Sequence, residues 1–70
     1  MRDEGRGALK EIKIEFEGRS IVGKYSFADG VVGVVSPAGA RRATRIGGAI
    51  HFPEGVARLL LRELAQEGKV

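Results

Sequence analysis

Three features of the amino-acid sequence predict an α+β domain: a four-stranded antiparallel β-meander with one C-terminal α-helix packed on one face. From Glu11 to Ser36 apolar and polar side chains alternate, which is the period-two pattern of half-buried strands. Turn signals at Gly18, Asp29-Gly30 and Pro37-Ala38-Gly39 punctuate the chain about every ten residues, the rhythm of a meander. Beyond them, Val56, Ala57, Leu60, Leu61 and Leu64 recur at helical spacing and form one apolar stripe. A sheet with one apolar face and a helix with one apolar stripe bury both by packing in two layers.

Residues 1–8 are charged and Gly-rich and are expected to form a mobile arm ahead of a single domain spanning 9–70. The first strand is predicted from about Leu9 to Glu17, where Ile12, Ile14 and Phe16 interleave with Glu11, Lys13, Glu15 and Glu17. The second runs from about Arg19 to Ala28. Asp29-Gly30 is the strongest hairpin signal, because a type I′ turn needs positive φ at both central residues. That turn sets Phe27 against Val32, Tyr25 against Val34 and Lys24 against Val35. Two registers are open for the first hairpin. A Gly18-Arg19 turn pairs Phe16 with Ile21 but opposes Lys13 and Lys24; a Glu17-Gly18 turn pairs Ile14 with Ile21 and Glu11 with Lys24. The opposite charges favour the second by roughly a few tenths of a kcal/mol. In either register Ile12, Ile14, Ile21, Tyr25, Phe27, Val32 and Val34 share one face.

The fourth strand, Arg41 to Ile46, has an open parity: Arg41, Ala43 and Arg45 lie on one face and Arg42, Thr44 and Ile46 on the other. Gly47-Gly48 ends it. Pro53 suits the first turn of a helix reaching about Glu67, with Gly68 as its C-terminal stop. Arg58, Arg62 and Gln66 line the polar side of that helix, and Leu59 sits among them, off the stripe. Gly23, on the inward face of the second strand, gives the helix room to approach.

The 70 residues make one small domain near the lower limit for a core without covalent staples. There is no cysteine, hence no disulfide framework and no thiolate metal site. No apolar run approaches the ~20 residues of a membrane span, and the charged N-terminus lacks the apolar stretch of a signal peptide. The expectation is a soluble cytoplasmic protein with no membrane association. Twelve Lys and Arg against nine Asp and Glu give a net charge of +3, and the stretch from Gly30 to Pro53 holds no acidic residue. A local positive field is expected there.

Catalytic constellations are missing. His51 is the one histidine, flanked by Ile50 and Phe52, and it reads as structural rather than as a general base. Ser20, Ser26 and Ser36 fall on strands or at a strand end without a base at a telling spacing or a nucleophile elbow. Glu11, Glu15 and Glu17 read as a solvated strand face. No phosphate-binding loop or dinucleotide fingerprint is present. The chain is read as a non-enzyme without cofactor or metal.

Two surfaces remain. Arg41, Arg42 and Arg45, joined by Arg58 and Arg62, have the chemistry to contact phosphates. Tyr25 and Phe27 would be stacking aromatics of a nucleic-acid binder, but their parity with Ile12, Ile14 and Ile21 places them in the core. The plainer role of an arginine-rich edge strand is to resist pairing with another chain. The second surface is apolar: Val22, Val31 and Val35 lie on the sheet face away from the helix, with Leu59 on the helix itself, and are candidates for a protein interface. Against this, β-branched residues favour strands wherever they sit.

Gly23-Lys24-Tyr25-Ser26-Phe27, Asp29-Gly30-Val31-Val32-Gly33-Val34, Gly39, Arg45-Ile46-Gly47-Gly48 and Ala57-Arg58-Leu59-Leu60-Leu61-Arg62-Glu63-Leu64 together resemble a family of short bacterial proteins of uncharacterised function. Those proteins share the order Gly-x-Tyr strand, turn, Val-rich strand, Gly turn, Gly-Gly pair and Leu-rich helix. The chain departs from that pattern at Ala49-Ile50-His51-Phe52 and in its three fourth-strand arginines. The resemblance implies the fold and transfers no activity and no functional residue. The reading is a small interaction or self-associating module, whose partner is an unidentified protein or a second copy. The alternative is sequence-nonspecific nucleic-acid binding through Arg41, Arg42 and Arg45.

Overall fold

A computed structural model of the chain describes residues 9–46 and 52–70. The arm expected over residues 1–8, the Gly47-Gly48 turn and His51 lie outside the described residues. Strands β1 (Lys10–Phe16), β2 (Arg19–Ala28), β3 (Val31–Val35) and β4 (Arg41–Arg45) precede helix α1 (Pro53–Gln66). The sheet is antiparallel throughout in the order β1-β2-β3-β4. This is the predicted α+β meander with its C-terminal helix on one face.

Both tight hairpins are type I′ in character, with positive φ at Glu17 (52°) and Gly18 (79°) and at Asp29 (54°) and Gly30 (76°). Glycine occupies the second central position in each. The first hairpin therefore adopts the Glu17-Gly18 turn, pairing Ile14 with Ile21 and Glu11 with Lys24. The third turn is held differently. Gly39 N donates to Ser36 O at 2.9 Å, and Ser36 N donates to Ala40 O at 2.8 Å. The buried Ser36 hydroxyl accepts from Ala40 N at 3.1 Å and donates to Lys69 O at 2.7 Å, clipping the turn to the segment after the helix. Two hydrogen bonds offset the desolvation of this buried hydroxyl, and that use is structural.

The core lies between sheet and helix. Ile12, Ile14, Ile21, Tyr25, Val32 and Val34 from the strands meet Ala57, Leu60, Leu61, Leu64 and Ala65 from α1. The apolar stripe thus extends one residue past Leu64, while Val56 is half-buried. Gly23 is where the layers approach: a Cβ there would lie 2.8 Å from Val35 O and 3.1 Å from a Leu61 methyl. The helix closes in a Schellman motif, with Lys69 N donating to Leu64 O at 2.8 Å, Gly68 N to Ala65 O at 3.0 Å, and Gly68 at φ 75°.

One core assignment is corrected. Phe27 shares the inward parity of Tyr25 but is 47% exposed, against 9% for Tyr25. The β1–β2 pairing ends at Lys10 and Tyr25, so Phe27 lies beyond the last rung and no described residue of β1 flanks it. Parity assigned the face correctly, but burial also needs neighbours along the strand. The parity of β4 is now decided: Arg42 pairs with Val34 and Thr44 with Val32, so both lie on the helix side.

Candidate functional site

Strand alternation places half of the sheet side chains on the face opposite the helix, and among the described residues no element covers that face. The molecule is only 15 Å through its thinnest direction, which accommodates one sheet and one helix layer. Strand pairing arranges the open face in rows. One row reads Glu11, Lys24, Val35, Arg41, and the next includes Ser26, Gly33 and Ala43. A third runs Ala28, Val31, Arg45.

The middle row is low because its side chains are small. With Leu9 at its β1 end, Ser26, Gly33 and Ala43 line a shallow hollow of ≈ 500 Å³, bounded by Val35 and Arg41. Leu9 is 54% exposed and Val22 43% exposed on this face. Val31 and Val35 are half-buried beside them. Three of the four apolar interface candidates, Val22, Val31 and Val35, therefore occupy the open face. Leu59 does not join them: it is 61% exposed on the solvent side of the helix.

The three arginines also separate. Arg41 and Arg45 are on the open face, whereas Arg42 reaches under the sheet to the end of the helix. Its guanidinium donates from Nη1 to Glu67 Oε2 at 2.8 Å and from Nη2 to Glu67 Oε1 at 2.7 Å, a bidentate fork. Nη1 also donates to Glu63 Oε1 at 3.2 Å. The last helical turn contains no basic residue of its own, so Arg42 supplies the cation that carboxylates at a helix C-terminus require. The Arg42 hydrogen bonds hold the Glu67 carboxyl below its ordinary value, partly opposed by desolvation and reinforced by Lys69. The same contact with Glu67, weakened by desolvation, raises Arg42 above its already high value. The stretch without acidic residues from Gly30 to Pro53 gains its carboxylates through tertiary contact.

On the open face, Ser20 Oγ donates to Glu15 Oε2 at 2.8 Å across β1 and β2. Arg58, offered as a further phosphate contact, donates from Nη2 to Glu54 Oε2 at 2.6 Å one helical turn away. Arg62 is exposed on the helix, away from the open sheet face. Among the described residues no group of three His, Cys, Asp or Glu is close enough to hold a metal ion. No described helix is long and apolar enough to cross a membrane.

No family model matches the chain, and no curated protein or solved structure matches it either. The site therefore rests on its own geometry. Sequence reading missed Leu9, Gly33 and Ala43 as site residues. Their only signal was their shared outward parity around a glycine in mid-strand.

Proposed function

We propose that this protein is a non-enzymatic interaction module that binds a protein partner, or associates with itself, through the open face of its sheet. The observation that carries this reading is the uncovered face, where Leu9 and Val35 line a hollow and Val22 and Val31 add further apolar surface outside the core. Exposed apolar groups gathered around a concavity and rimmed by charge are the composition of an interface. Nucleic-acid binding through Arg41, Arg42 and Arg45 is the alternative, and the geometry favours it less. Arg42 is engaged by Glu63 and Glu67, while Arg41 and Arg45 share their face with Glu11 and Glu15. The lack of cysteine fits a reducing compartment, and the cytoplasm is the location we propose.

Site-specific photo-crosslinking in cells tests this reading. A photoreactive residue at Val22 or Val35 is expected to give discrete covalent adducts with protein, and one at the exposed Arg62 on the helix to give none. The absence of adducts from both open-face positions, in chains that remain folded, overturns it.

A further inference from the structure

We propose that the occupant of the open face is a second copy of this chain, packed face to face about a two-fold axis parallel to the strands. The proposal rests on the open face being an interaction surface, and it identifies what that surface binds. One opposite-charge pair at the two sheet edges, Glu11 on β1 and Arg41 on β4, selects both partner and axis. On this face β1 presents Glu11, Lys13 and Glu15, β2 presents Lys24, and β4 presents Arg41 and Arg45 with no acid. A two-fold parallel to the strands lays β1 over the partner's β4 and β2 over the partner's β3. An in-plane axis across the strands would instead lay β4 on its own copy, arginine against arginine.

The register then aligns particular residues. Glu11 and Arg41 belong to one row through Lys24 and Val35. The operation keeps rows level, so Glu11 faces the partner's Arg41, and by symmetry Arg41 faces the partner's Glu11. In the next row Leu9 faces the partner's Ala43, beside the low floor formed by Ser26 and Gly33. An exposed leucine of each copy thereby enters the hollow of the other, and small residues let the sheets approach at about 10 Å. Both features, the unburied Leu9 and the unfilled hollow, are resolved by one contact.

The interface is small. Four strands about 4.8 Å apart and about five residues long cover about 300 Å² in projection on each copy, about half of what a stable interface buries, so the pair is a transient one. Self-association is therefore expected to depend on concentration, with half-association in the tens to hundreds of micromolar, and to weaken with salt.

Sedimentation equilibrium of the full chain from ~10 μM to ~1 mM tests the proposal, with melting curves confirming that each variant is folded. Wild type is expected to form dimers. Glu11→Arg and Arg41→Glu, both at exposed positions, are each expected to weaken dimerisation by about tenfold or more, because like charges then meet at both symmetry-related pairs. An equimolar mixture of these two variants is expected to recover dimers at close to wild-type strength, since every introduced charge then meets its opposite. Wild type monomeric at ~1 mM overturns the proposal, whether or not it binds an oligonucleotide. Wild-type dimers indifferent to both substitutions, or a mixture that stays monomeric, overturn it as well. If the chain is monomeric yet Val35 still crosslinks to a different protein, the second copy is rejected and the open-face reading stands. Failure of both experiments rejects both.

Discussion

The two faces of this sheet share the same strands, turns and register, and each has a glycine near its middle. On the helix side, Gly23 is filled: Leu61 lies 3.1 Å from where its Cβ would be. On the open side, a Cβ at Gly33 would meet only Ser26 Oγ, at 3.7 Å. One face has a socket with its leucine in place, and the other has a socket and an exposed Leu9 at its rim. The difference teaches that strand alternation sorts side chains into two sets without saying how many of them will be covered. Cover comes from whatever packs on top, and within the described chain there is one helix for two faces.

The largest expected contrast between the faces is in stability. Leu61→Ala and Leu64→Ala, both almost fully buried, should each cost about 2–5 kcal/mol through lost transfer energy and the cavity left behind. In a domain whose core supplies roughly 3–5 kcal/mol, either change approaches unfolding. Urea denaturation followed by circular dichroism measures this. A loss below ~1 kcal/mol at both positions would contradict the packing described.

The glycine pair gives the next contrast. Gly23→Ala should destabilise by about 1–3 kcal/mol, because the new methyl collides with the Val35 carbonyl as well as with Leu61. Gly33→Ala has ordinary contact distance available and should change monomer stability by no more than ~0.5 kcal/mol. Equal effects in thermal melts at low protein concentration would erase the distinction between filled and empty sockets.

The contact joining the β4 edge to the helix should appear as a pH dependence. Glu67 has its carboxyl lowered in the folded chain by Arg42, so in acid the unfolded chain binds the proton more readily. The stabilisation is therefore complete above the ordinary glutamate value of about 4.3 and is lost as pH falls through the lowered folded value. Arg42→Gln should flatten that part of the stability profile, measured by denaturation between about pH 5 and pH 2. An unchanged profile would show that the fork contributes nothing to folding.

The smallest effect belongs to Leu59. At 61% exposure on the helix and away from the open face, Leu59→Ala should alter stability by no more than ~0.5 kcal/mol and leave sedimentation unchanged. A shift in association state would place an interface on the helix and weaken the case for the open face.

Much of this architecture could be read from local patterns. The Asp29-Gly30 turn, the alternation around Ile12, Ile14 and Ile21, and the stripe ending near Gly68 each reflect a constraint that neighbouring residues impose on one another. Turn chemistry acts over four residues and periodicity over ten to fifteen, so both are visible in one chain. Even the first hairpin register followed from the opposite charges of Glu11 and Lys24.

What only the tertiary structure decided were facts about distant residues meeting. Strand alternation alone put Arg41 and Arg42 on opposite faces, but only the fold turns Arg42 toward the helix and brings Glu63 and Glu67 to it. Phe27 had the parity of a core residue and lost its cover because β1 pairing stops at Tyr25. The hollow exists because Ser26, Gly33 and Ala43, widely separated along the chain, align in one row across β2, β3 and β4. The sequence determined which residues could face the same way, since side-chain direction is a property of local backbone. Burial, ion pairing and concavity depend on which separate segments stand side by side, and those distances are set only when the chain has folded.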